Sequence, residues 1–153
     1  MLTATGSKKV SLQMGKGAKI VNLKLWNVEN MLKLLTSDDT FKNLRSLDIS
    51  GNDVGVELSG RLNLGRFKVL DKINVSHNKL KMMPILPATS LALNISYNPF
   101  GHISDQDFKS VYNTLILIMR NCSIENLGTA SEKIGIFSFK NFFVKKCFRQ
   151  LSP

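Results

Sequence analysis

The residues able to do acid–base, nucleophilic or metal chemistry in this chain are few and scattered. The chain has two histidines, His77 and His102, and two cysteines, Cys122 and Cys147, which stand 25 residues apart without metal-ligand spacing. GKGAK, from Gly15, is rich in glycine and lysine but lacks the spacing and the Ser or Thr of a phosphate-cradling loop. Asp38, Asp39, Asp105 and Asp107 fall in connecting stretches, where solvated charge, turn or cap roles are expected. No nucleophile, base and orienting group can be assembled from these residues, so neither an enzyme nor a cofactor or metal is expected. What the residue types do offer is recognition: Trp26, His77, Tyr97 and Arg120 are of the kinds that anchor interfaces. Asp48, Lys72, Asn74 and Asn94 could add charge and hydrogen bonds to the same surface.

An internal periodicity gives these residues a common setting. LRSLDISGNDV from Leu44, LDKINVSHNKL from Leu70 and SLALNISYNPF from Ser90 share one frame. Each has apolar residues at its fourth, sixth and eleventh places and Asn at its ninth, namely Asn52, Asn78 and Asn98. TLILIMRNCSI from Thr114 repeats the frame with Cys122 at the Asn place, and IVNLKLWNVEN from Ile20 opens it more weakly. The ninth places Val28, Asn52, Asn78, Asn98 and Cys122 are 24, 26, 20 and 24 residues apart, within the 20–29 range of one repeat class. Ile134, Phe137, Phe139, Phe142 and Val144 continue the frame loosely and read as a degenerate terminal repeat or cap.

These segments resemble the leucine-rich-repeat family over about 105 residues, from Ile20 to about Asn126. The resemblance implies an α/β solenoid, a short curved array of five to six repeats with a parallel sheet on its concave side. The convex side should mix helical and extended pieces. Met31, Leu32, Leu34 and Leu35 suggest helical turns, Pro84 and Pro87 an extended return, and Phe100, Ile103 and Phe108 a convex core. The expected organisation is a basic, partly flexible or capping segment 1–19, a repeat domain 20–132 and a basic aromatic segment 133–153.

In a strand, alternate side chains share a face, so Leu47 and Ile49, Ile73 and Val75, Leu93 and Ile95, Leu117 and Met119 should point inward. The ninth-place Asn is expected to satisfy backbone groups at the bend below the strand, with Cys122 as a substitute known in the family. Third, fifth, seventh and eighth places then face outward. They bring together Lys24, Trp26, Asp48, Lys72, Asn74, Ser76, His77, Asn94, Ser96, Tyr97, Ile116, Ile118 and Arg120. Ile116 and Ile118 are expected to lie under the C-terminal segment.

The resemblance implies a non-enzymatic protein–protein interaction module, an adaptor or recognition domain, that holds a protein partner on its concave face. Charge leaves a second reading open. The net charge is +10, yet residues 25–132 hold eleven basic and eleven acidic side chains, so the excess sits at the two ends. Those ends could attach the chain to an anionic membrane surface, a nucleic acid or another polyanion. Two cysteines without a framework point to free thiols and a cytoplasmic setting. An extracellular setting follows if the chain is a fragment of a larger receptor-like protein. In that case the Asn-X-Ser triplets at Asn74, Asn94 and Asn121 would be glycan acceptors.

Overall fold

The computed structural model describes residues 2–5, 22–26, 41–56, 58, 60–111, 114–124 and 142–145. Seven strands form one sheet in chain order: Leu2–Thr5 (β1), Asn22–Trp26 (β2), Ser46–Asp48 (β3), Lys72–Asn74 (β4), Ala92–Asn94 (β5), Ile116–Arg120 (β6) and Phe142–Lys145 (β7). Every neighbouring pair is parallel. Parallel neighbours require a crossover between strands, and one short helix, Asp105–Ser110 (α1), lies in the crossover from β5 to β6. The parallel sheet, with little helix among the described residues, is compatible with an α/β fold. No helix among the described residues is long and apolar enough to cross a membrane.

The register follows the expected frame closely through the middle of the sheet. Leu23, Leu47, Ile73, Leu93 and Leu117 are successive partners. Leu47, Ile49, Ile73, Val75, Leu93, Ile95, Leu117 and Met119 are all buried, as the alternation of the strands requires. The first and eleventh places extend this core: Leu44, Leu70, Leu80 and Phe100 are fully enclosed. Ile103 is buried too, while the side chain of Phe108 and the expected helical turns around Met31–Leu35 lie outside the description. Ile85, between Pro84 and Pro87, runs extended and forms a parallel bridge with Asn63.

Below β4 and β5, the ninth-place carboxamide satisfies backbone groups from two neighbouring turns. Asn78 donates from Nδ2 to the carbonyls of Val75 (3.0 Å), Ser76 (3.1 Å) and, one strand back, Ile49 (3.0 Å). Its Oδ1 accepts from the Val54 amide at 3.1 Å. Asn98 repeats the pattern with Ile95, Ser96 and Val75, and accepts from Leu80 N. Cys122 keeps part of it, with Sγ 3.5 Å from the carbonyl oxygens of Ile95 and Arg120. Gly55 follows the bend at φ +111°, and a Cβ there would collide with the Lys79 carbonyl, so only glycine fits.

Helix α1 starts from a reciprocal cap. The Asp107 carboxylate accepts from the Ser104 amide (2.8 Å) and hydroxyl (2.6 Å), and the Asp107 amide donates back to Ser104 Oγ at 3.4 Å. The buried carboxylate also pairs with Arg61, tying two crossovers 46 residues apart.

The sheet extends into both end segments, with β1 inside residues 1–19 and β7 inside residues 133–153. One expectation about the C-terminal segment changes. The C-terminal frame is displaced by five residues. Phe142 and Val144, not Phe137 and Phe139, partner Leu117 and Met119. With only apolar type to go on, a Phe-rich tail satisfies more than one frame. The observed register sets Cys147 five residues after Phe142, as Cys122 follows Leu117.

Two outcomes are expected. Asn78→Ala should destabilise by ~1–3 kcal/mol, because it strips buried backbone groups of partners. Asn63→Ala, at an exposed position bonded only locally to Gly65 N, should cost well under ~1 kcal/mol. Denaturant midpoints measure both, and equal midpoints would refute the role given to the ninth place. Truncation after Glu132 removes β7 and uncovers the edge of β6, so the shortened chain should melt lower and scatter light. An unchanged melt would refute a structural role for that strand.

Candidate partner-binding face

The residues expected to face outward lie in ordered rows across the sheet. Lys24, Asp48, Asn74, Asn94 and Ile118 are successive register partners, and Asn22, Ser46, Lys72, Ala92 and Ile116 form the parallel row. Lys72 is exposed; Asp48, Asn74 and Asn94 are half-buried. Trp26 ends β2, and its side chain lies outside the description.

Asp48, Asn74 and Asn94 are drawn into one local device. Oδ1 of each accepts from the backbone amide two residues on, Ser50 (3.0 Å), Ser76 (3.2 Å) and Ser96 (3.1 Å). The Ser50 and Ser76 hydroxyls also donate to Asp48 and Asn74, at 2.6 and 2.8 Å. Such Asx turns end a strand by giving the backbone a side-chain partner. The Asn-X-Ser triplets at Asn74 and Asn94 are therefore explained by structure, since Asp48-Ile49-Ser50 makes the same turn. A correction accompanies this finding: Ser76 and Ser96 are buried rather than outward. Ser96 Oγ accepts from the Arg120 amide at 3.0 Å, which pins β6 to the turn after β5.

The turn throws the eighth residue outward through left-handed backbone. Gly51, His77, Tyr97 and Asn121 all have positive φ, at 69°, 53°, 58° and 48°. Backbone bonds hold this row together: Gly51 N to Ser76 O, His77 N to Ser96 O and Tyr97 N to Arg120 O, at 3.0, 2.9 and 2.8 Å. Glycine meets no steric penalty there, whereas His77 and Tyr97 bear roughly 1 kcal/mol each. Their rings stack, centroids 4.0 Å apart and planes 15° from parallel, and both residues are exposed. Arg120, also exposed, ends β6 next to Tyr97.

The structure thus brings His77, Tyr97, Asn74, Asn94, Lys72 and Arg120 onto adjoining strands and turns, with Asp48 one strand further and Trp26 two. The outward-row reasoning passed over Leu91 and Leu115. They hold the second place of the frame, 47% and 61% exposed, immediately before β5 and β6. The signal was in the sequence, because that place holds Arg45 and Asp71 in the preceding copies. Ile116, expected to be covered, is 44% exposed, and Ile118 is half-buried.

Among the described residues no group of three or more His, Cys, Asp or Glu is placed to hold a metal ion. Comparison with known proteins returns no match, whether against family models, curated proteins or solved structures.

The shared turn makes a specific expectation. Asn94→Asp should change stability by less than ~0.5 kcal/mol, since Asp48 makes the same bond in the same place. Asn94→Leu, which removes the acceptor from Ser96 N, should cost ~1 kcal/mol. Thermal melts of the two variants check this, and equal losses would remove the turn from the account.

Proposed function

We propose that the chain is a leucine-rich-repeat solenoid that binds a protein partner, without turnover, on the outward face of its sheet. Strands in chain order, parallel and in one register, support the repeat reading, as does the row of ninth-place carboxamides. A single turn of such a repeat cannot bury its inward face alone, and stacking with neighbours supplies the missing cover.

The observation that carries the binding reading is the His77–Tyr97 stack. Two large polar aromatic side chains occupy left-handed backbone where Gly51 shows that a residue without strain would serve. Strain kept at an exposed position suggests that the side chains are used there. Stacking holds each ring in place beforehand, which lowers the entropy lost when a partner covers them. Lys72, Asn74, Asn94 and Arg120 surround the pair with donors and acceptors, and Asp48 and Trp26 extend the surface toward β2.

The test is retention of partners by the immobilised chain, quantified for matched variants. His77→Ala with Tyr97→Ala should abolish retention while the melt stays within a few degrees of wild type. Replacing Lys8, Lys9 and Lys16 by Gln tests the charged N-terminal segment without removing β1, and should leave retention unchanged. The opposite pattern would overturn the proposal in favour of attachment through the basic ends.

A further inference from the structure

The row of left-handed residues carries two stacked rings and, beside them, a place with no side chain at all. Gly51, His77 and Tyr97 hold the same eighth place in successive turns, with φ of 69°, 53° and 58°. Their backbones are tied alike, Gly51 N to Ser76 O at 3.0 Å and His77 N to Ser96 O at 2.9 Å. His77 and Tyr97 show what this geometry does with planar groups: it stacks each on its neighbour, with centroids 4.0 Å apart. A ring at position 51 would meet the other face of the His77 imidazole in the same manner. Glycine leaves that face uncovered. His77 stays exposed although Tyr97 lies against one of its faces, and Gly51 is exposed beside it. The result is a slot about one strand spacing wide, ~4.8 Å, floored by glycine backbone and walled on one side by imidazole.

Charge distinguishes among the planar groups that fit. Residues 46–57 hold Asp48, Asp53 and Glu57 and no cation. Asp48 is committed to its turn through Ser50 and has Lys24 as its register partner, but Asp53 is exposed two residues beyond Gly51. Of the neighbouring cations, Arg45 pairs with Asp71 at 3.6 Å, and Lys72 and Lys79 belong to the His77 turn. A neutral ring in the slot would answer the imidazole alone. A guanidinium answers both groups, since its plane stacks on an aromatic face and its N–H donors, lying in that plane, reach a carboxylate at the edge. A lysine ammonium, a point charge without a plane, answers only the carboxylate.

We infer that the slot over Gly51 takes an arginine side chain of the partner protein, stacked on His77 and paired with Asp53. The inference rests on the reading of the outward face as the binding surface, and adds the partner's chemistry to it. Gly51 then sets specificity by having no side chain, at a place where Asn121 shows that one is admitted.

N-acetyl-arginine amide serves as the probe, titrated into the isotope-labelled full chain and followed by nuclear magnetic resonance. N-acetyl-lysine amide and N-acetyl-tyrosine amide are its counterparts. The Gly51 amide and the His77 ring should shift saturably with the arginine compound, which should bind about threefold more tightly than either counterpart. Gly51→Asn fills the slot with the side chain that Asn121 carries at the same place, and should abolish those shifts. Asp53→Asn, which keeps the glycine, should weaken the arginine compound about threefold. Melts show whether the variants fold, and if Gly51→Asn does not, His77→Leu removes the stacking face and should abolish the shifts in its stead. No saturable shift, equal affinity for the arginine and lysine compounds, or shifts that persist in the filled or ring-less slot would overturn the inference. So would tighter binding of the tyrosine compound, which would assign the slot to a neutral ring. Failure of the underlying reading looks different: partner retention then ignores every substitution on the face. Failure of the inference alone leaves retention sensitive to His77 and Tyr97 but indifferent to Gly51→Asn and to competing arginine amide.

Discussion

The ninth-place carboxamide is the interaction on which the rest of this structure depends. A three-residue strand buries its middle side chain and the residue just past its end and then must turn, leaving carbonyls that point into an apolar interior. Orphaned there, each would cost a substantial part of a small domain's stability. Asn78 meets three such carbonyls and one amide, and two of those four groups belong to the preceding turn of chain. The same side chain therefore finishes its own bend and fixes the spacing to its neighbour. Cys122 can reach the corresponding carbonyls, but with a weaker donor and a single hydrogen.

The outward surface follows from that bend. Once the backbone turns under the strand, the Asx turn before it and the left-handed residue within it are set by geometry. What varies is the side chain that the turn displays: nothing at Gly51, an imidazole at His77, a phenol at Tyr97, an amide at Asn121. The scaffold residues Asp48, Asn74 and Asn94 shape the surface, whereas Lys72, His77, Tyr97 and Arg120 are exposed on it. Chemistry is thus separated from architecture by single positions of one frame.

How much of this could be read from the sequence depended on whether a residue's role is local. The inward pairs were legible, because period two with Leu, Ile and Val admits one face. So were the ninth-place asparagines, which no apolar pattern would put there. Ser76 and Ser96 were not: their hydroxyls look suited to solvent, and only the bonds to Asn74 Oδ1 and Arg120 N explain their burial. The register of β7 was missed for another reason. Phe137, Phe139, Phe142 and Val144 are interchangeable as apolar types, and the segment's one Asn, Asn141, holds the ninth place of neither frame. Leu91 and Leu115 escaped because the second place carries charge in the middle copies and only later becomes apolar.

The division of labour within each period also governs how the chain can change in length. Ninth places fall 26, 20 and 24 residues apart between Asn52 and Cys122, yet the bonds reaching back from Asn78, Asn98 and Cys122 lead to equivalent carbonyls. The slack is taken up entirely in crossovers such as 56–69 and 101–113. A residue inserted there lengthens a loop whose closure entropy grows only slowly with size. The same residue inserted between Leu70 and Leu80 would shift the later side chains of that frame to the wrong face and part Asn78 from its carbonyls. Insertions and deletions that preserve this fold therefore belong to alternate stretches, the eleven-residue frame keeping its length while the spans between absorb the difference.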